Sequence, residues 1–189
     1  GVYLGWRLLW FECDDAYIAY RYVANWVEGH GLVWNPAPFR PVEGYTCFGW
    51  VILLGCVWEL FGIEPPQSST WISLGFGYAT LFVGWRMMMR MHLPQRLDRL
   101  RVLLATLALG VAVTNRTFLT WLSSGLETGM FMFAVTWWVY HMLTRPENRG
   151  SLWMLGLTTS AALTYLTRPD GMLMVPATLL VLGQHVLRR

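Results

Sequence analysis

Asp14 and Asp15 stand side by side directly after an apolar run, at the head of the stretch "ECDDAYIAYRYVANWVEGHGLVWNPAPFRPVEGYT" (Glu12–Thr46). Two adjacent carboxylates suit two tasks. One can take a proton from a hydroxyl as a general base. The other can hold a divalent cation such as magnesium through hard oxygen ligands, and a cation between them relieves their repulsion. Asp14 is the preferred base because it shares a helical face with Arg21, with Asp15 as metal ligand or partner, although the pattern allows the reverse. Arg21 offers a planar fork suited to a phosphate. The plainer reading makes the acids a helix cap and first-turn charge and gives Arg21 to a surface ion pair. Asn25 and Asn35 are candidate substrate contacts, whereas His30 in "GHG" reads as a loop residue.

These residues need an element to carry them. On a 3.6-residue period Asp14, Tyr17, Arg21, Asn25 and Glu28 fall on one face, and Ala16, Ala19, Tyr20, Val23 and Val27 on the opposite one. That predicts an amphipathic helix suited to a bilayer surface, stopped by the glycines of "EGHG". "WNPAPFRP" reads as a proline-broken loop.

The rest of the chain reads as membrane. Of its 189 residues 55% are hydrophobic and only 13% are charged, with mean hydropathy +0.40; soluble chains carry about 25% charge. Twelve tryptophans suit the headgroup region. The cysteines (Cys13, Cys47, Cys56) form no metal-like or disulfide-like spacing and read as small apolar residues. Spans are predicted at Trp71–Met89, Val102–Phe118, Gly129–Leu143, Leu152–Leu166 and Met172–Val186, with the first residues as the end of an earlier span. Arg86, Arg90, Arg96, Arg99 and Arg101, then Arg145 and Arg149, then Arg188 and Arg189, mark the cytoplasmic joints. "EPPQSST", "NRTFLTWLSSGLE" and "TRPDG" then face outward. The run Cys47–Ile63 carries Glu59 and is read as interfacial rather than spanning, which puts the Asp14–Asp15 loop outside as well. The expected organisation is residues 1–11 as the end of span 1, 12–70 as a long outer loop with juxtamembrane helices, and 71–189 as about five spans, the whole being part of a longer protein. The fold class is thus an all-α integral membrane bundle.

Further candidates sit in the outward joints. Glu43 and Tyr45 in "VEGYT" and Glu127 in "SSGLET" are further candidate substrate contacts at an outer polar site, although each Glu by itself reads equally as a solvated loop charge. "TRPDG" reads by itself as a tight turn, yet Arg168 and Asp170 bring ionisable groups to the boundary, and Arg168 is a second candidate for phosphate. No glycine-rich phosphate loop, zinc-protease or nucleophile-elbow pattern occurs.

"DDAYIAYRYVANWVEGHGLVWNP", "VEGYT", "SSGLET" and "LTRPDG", in that order from Glu12 to Gly171, resemble the ordered motifs of bacterial multi-pass GT-C glycosyltransferases. The likeness is greatest to the terminal arabinofuranosyltransferase and family 39-like branch. The resemblance implies a sugar taken from a polyprenyl-phosphate carrier and passed to a cell-envelope glycan, lipid or protein on the outer face of the bacterial inner membrane. It further implies one or two catalytic Asp in the first outer loop, here Asp14 and Asp15, and in some members a divalent cation bridging a carboxylate and the donor phosphate. Membrane lipids are expected partners and nucleic acid is not. A transporter would place its ionisable residues in mid-span, which this chain does not, and a non-catalytic membrane subunit leaves the four polar motifs unexplained.

Overall fold

The computed structural model describes residues 1–144 and 150–187. The expected joint arginines Arg145, Arg149, Arg188 and Arg189 lie outside the described residues. The described chain is all helical, with no strand among those residues.

After α1 (Val2–Leu8), helix α2 (Ala16–Val27) follows the two aspartates, with Asp15 as its N-cap. It buries Ala16, Ala19, Tyr20 and Val23, as the periodicity requires. It stops at Glu28, where Gly29 turns the chain at φ +84°. The polar face is narrower than predicted: Tyr22 and Asn25 point inward as well. Helix α3 (Phe48–Phe61) lies against α2, and its fully buried Trp50, Val51 and Leu54 complete one core. The close approach relies on Gly55, where a β-carbon would overlap the Trp26 ring.

Gly62 caps α3 in the left-handed conformation at φ +69°, which suits glycine. Pro65 then opens α4 (Pro65–Arg90) at a position where its missing N–H costs nothing. The two helices meet at a bend of 115°. Much of the expected outer loop at 64–70 is therefore the first turns of α4, and Ser68, Ser69 and Thr70 are buried there.

Beyond α4 come the short α5 (Gln95–Asp98), α6 (Arg101–Thr114), α7 (Arg116–Trp121), α8 (Thr128–Leu143), α9 (Ser151–Thr167), a 3₁₀ turn (Pro169–Leu173) and α10 (Met174–Leu187). The span predicted at Val102–Phe118 does not run through. Asn115 takes an extended backbone, and its side chain accepts from Phe118 N at 3.0 Å, capping a new helix. Helix α4 packs on α8 and α6, and α9 packs between α8 and α10. Ser73 and Gly129 meet where α4 and α8 start, and Arg90 and Tyr140 meet where they end, so these helices run parallel. Helix α9 returns, its Trp153 donating to His141 O at 2.9 Å.

No single described helix is long and apolar enough to cross a membrane; α3 and α4 pass that test only as a bent pair. Helices of 14 to 17 residues reach about 21–26 Å. The 26-residue α4 reaches about 39 Å, but its first turns are polar.

Candidate functional site

A cavity of about 520 Å³ opens where α2, the 33–35 loop, the end of α3 and the start of α4 converge. Asp14, Arg21 and Glu64 bring charge to it, and Tyr17, Trp34 and Trp58 bring flat aromatic faces. Asp14 Oδ1 accepts from Asp15 N at 3.1 Å and lies 3.6 Å from the Cys13 thiol. Asp15 caps α2 without a side-chain cap bond and is not among the lining residues. The structure thus separates two acids that the sequence left interchangeable.

Arg21 is positioned from three directions. Its Nε donates to Trp34 O at 2.8 Å, its Nη2 donates to Asn35 Oδ1 at 2.5 Å, and its guanidinium lies 4.3 Å from the centre of the Trp34 ring. Asn25 supports this from below, its amide donating to Val33 O at 2.7 Å and Trp34 O at 3.1 Å. Asn25 is buried, so it holds the loop that holds Arg21 rather than facing solvent. Neither Asp14 nor Arg21 belongs to any ion pair among the described residues. A carboxylate and a guanidinium therefore share a cavity with neither neutralised by a neighbour.

The other candidates form a second group. Arg168 Nη1 reaches Glu127 Oε1 at 3.0 Å, and its Nε lies 3.5 Å from Asp170 Oδ2. The Glu127 side chain is only 12% exposed, so it is not the solvated loop charge that its joint suggested. Two carboxylates on Arg168 leave it less suited than Arg21 to a phosphate. Replacing Arg168 by Gln strands the Glu127 charge, and the expected cost is about 1–3 kcal/mol, read as a lower unfolding midpoint in detergent. Beside this pair, burial pushes the Cys47 thiol up to about 12, with the Glu127 charge adding to the effect. Cys47 is therefore a neutral packing group rather than a nucleophile. Glu43 is exposed near Tyr45, and Tyr45 stands edge-on to Tyr22 at 4.6 Å. Burial, then the Glu43 charge, raises the Tyr45 hydroxyl. Neither Glu43 nor Tyr45 lines the cavity.

Both groups hang on one buried turn, Ser123–Leu126. Phe11 N donates to Ser123 Oγ at 3.2 Å, and Cys13 N donates to Ser124 O at 2.9 Å, fixing the backbone just before Asp14. Gly125 O accepts from Trp50 Nε1 at 3.1 Å and from the Tyr20 hydroxyl at 3.4 Å. That hydroxyl also meets Ser69 Oγ at 2.6 Å. Burial raises the Tyr20 pKa strongly, the nearby Glu12 charge adds to this, and the Ser69 bond opposes it. Tyr20 therefore stays protonated and acts as a fixed strut. Sequence reasoning missed Trp34, Trp58, Glu64 and Tyr20 as parts of the site. It singled out "SSGLET" but named only Glu127 there, and not the Ser–Ser–Gly turn that fixes the backbone before Asp14.

Cys13, Asp14 and Asp15 offer ligand atoms within 4.8 Å of one another. Two hard carboxylates suit an ion of the magnesium type, which keeps several waters; a thiol does not. Comparisons of the chain with models of known protein families, with curated proteins and with solved structures find no match.

Proposed function

We propose that the chain carries the transfer site of a multi-pass membrane glycosyltransferase, which moves a sugar from a polyprenyl-phosphate carrier to a cell-envelope acceptor on the extracytoplasmic side. One observation carries this reading: Asp14 and Arg21 line the same aromatic-walled cavity and are not paired with each other. The acceptor hydroxyl attacks the anomeric carbon, and Asp14 takes its proton. The bond from that carbon to the phosphate oxygen breaks, and polyprenyl phosphate leaves with the electron pair. Arg21, its guanidinium pre-oriented by Trp34 and Asn35, binds the phosphate as negative charge grows on it. Tyr17, Trp34 and Trp58 offer apolar faces to the sugar ring. A divalent cation held by Asp15 with Asp14 would neutralise phosphate charge.

Two observations support membrane placement. Large apolar side chains stay exposed along the outer helices, among them Leu103, Leu107 and Val111 on α6, Leu155 on α9 and Leu180 on α10. The cavity lies at the start of α4, and the arginines lie at its far end, about 39 Å away. That span is comparable to the ~40–45 Å of a bilayer with its headgroups.

The test is to reconstitute the full chain and supply a panel of polyprenyl-phosphate sugars beside soluble nucleotide sugars. Transfer from a lipid-linked donor alone is the expected result; use of soluble donors only, or of none, would overturn the reading. Arg21→Gln is expected to lower kcat/KM for the lipid donor by about 10- to 100-fold, the worth of a charged hydrogen bond, with kcat falling because the interaction strengthens as the phosphate leaves. An unchanged kcat/KM for that donor would remove Arg21 from the phosphate.

A further inference from the structure

The end of the bundle remote from the cavity carries a concentrated charge that sugar transfer does not use. Between residues 86 and 101 stand five arginines and one acid, Asp98. Asp98 is already paired with Arg101. Arg101 also donates to Met88 O at 2.9 Å and Met89 O at 2.7 Å, satisfying carbonyls in the last turn of α4 and tying the joint down. Arg90 donates to the Tyr140 hydroxyl at 2.5 Å. Arg86, Arg96 and Arg99 are exposed, and their side chains make no hydrogen bond or ion pair among the described residues. Interleaved with them, Leu97 is 44% exposed, Leu100 47% and Leu103 53%.

We propose that Arg86, Arg96 and Arg99, with the neighbouring Leu97 and Leu100, form a docking surface for the phosphates of anionic lipids in the leaflet remote from the cavity. Charge complementarity argues for phosphate, and the exposed leucines argue for its source. A bilayer surface takes cations at the headgroups and apolar side chains just beneath them. A nucleic acid or free phosphate in water has no place for the leucines. The proposal rests on the membrane placement above and not on sugar transfer.

The full chain is reconstituted in nanodiscs of phosphatidylcholine with graded phosphatidylglycerol, extracted, and its retained lipids quantified. Wild type is expected to retain phosphatidylglycerol in excess over its share of the disc. Arg96→Gln with Arg99→Gln should weaken that retention by about 25-fold, from about fivefold per arginine near a charged surface. Arg86→Gln, on a different element, should weaken it about fivefold. Arg116→Gln, an equal charge change at the cavity end, should leave it unchanged. Equal retention by the double variant, or an equal loss in Arg116→Gln, would overturn the proposal. So would displacement of the lipid by a short RNA or by inorganic phosphate at matching concentration. No donor sugar is present, so this result stands apart from the transfer assay.

Discussion

Asp14→Asn is expected to lower transfer by about 10²- to 10⁴-fold, the usual contribution of a positioned base, while the protein melts where wild type does. The side chain is exposed, so little folding energy depends on it. Asparagine keeps an oxygen that can accept from Asp15 N, as Asp14 Oδ1 does at 3.1 Å, so the local turn survives and only proton acceptance is lost. Asp15→Asn should behave differently. Asp15 caps α2 and does not line the cavity. Its loss should raise the magnesium concentration needed for half-maximal rate and leave the rate at saturating magnesium within about tenfold of wild type, because the proposed mechanism gives it the cation rather than the proton. The measurement is kcat for both variants across a magnesium titration. A dead Asp15→Asn beside an active Asp14→Asn would exchange the two roles, and full activity in both would remove the carboxylate mechanism.

How much of this site could be read from the sequence depends on which atoms do the work. Helix α2 was legible because its burial is a side-chain pattern: Ala16, Ala19, Tyr20 and Val23 recur at helical spacing and end at Gly29. Helices α8 and α9 fall within a residue or so of the predicted runs for a different reason: each is an unbroken apolar segment bounded by polar joints. The break at Asn115 was legible only in part: the residue opens the polar joint "NRTFLTWLSSGLE", but the span was carried on to Phe118 because a capping asparagine looks like any polar residue at the edge of an apolar run. The Ser123–Leu126 turn was less legible still. Its contacts are largely made by backbone carbonyls, such as Ser124 O to Cys13 and Gly125 O to Tyr20 and Trp50, and a carbonyl leaves no mark on the sequence. Asn25 went astray through the opposite error. Polarity suggested solvent, whereas its amide is buried because it satisfies two carbonyls of the 33–34 loop.

That turn predicts a large structural effect. Gly125 sits at φ +80°, where a β-carbon is strained in any surroundings. The surroundings are also closed: an added methyl would overlap the Tyr20 hydroxyl and press on Ala16 Cβ at 3.0 Å. Backbone strain of about 1–2 kcal/mol and overpacking of about 1–3 kcal/mol together put Gly125→Ala about 2–5 kcal/mol below wild type. The damage should reach the chemistry even where the fold survives. Tyr20 cannot yield without loosening its bonds to Ser69 and Gly125 O, and the same turn fixes Cys13, one residue before Asp14. A shift of about 1 Å in a catalytic group can cost 10²-fold. Gly183→Ala is the control, since nothing lies within 4 Å of its added carbon and alanine favours a helix; it should melt at or slightly above wild type. Adding Tyr20→Phe to Gly125→Ala removes the overlapping oxygen and should restore part of the lost stability, leaving the backbone strain. If Gly125→Ala melts with wild type and keeps its activity, the turn is not what holds the aspartates. If Tyr20→Phe restores nothing, the strain lies in the backbone alone, and the hydroxyl is free to move aside.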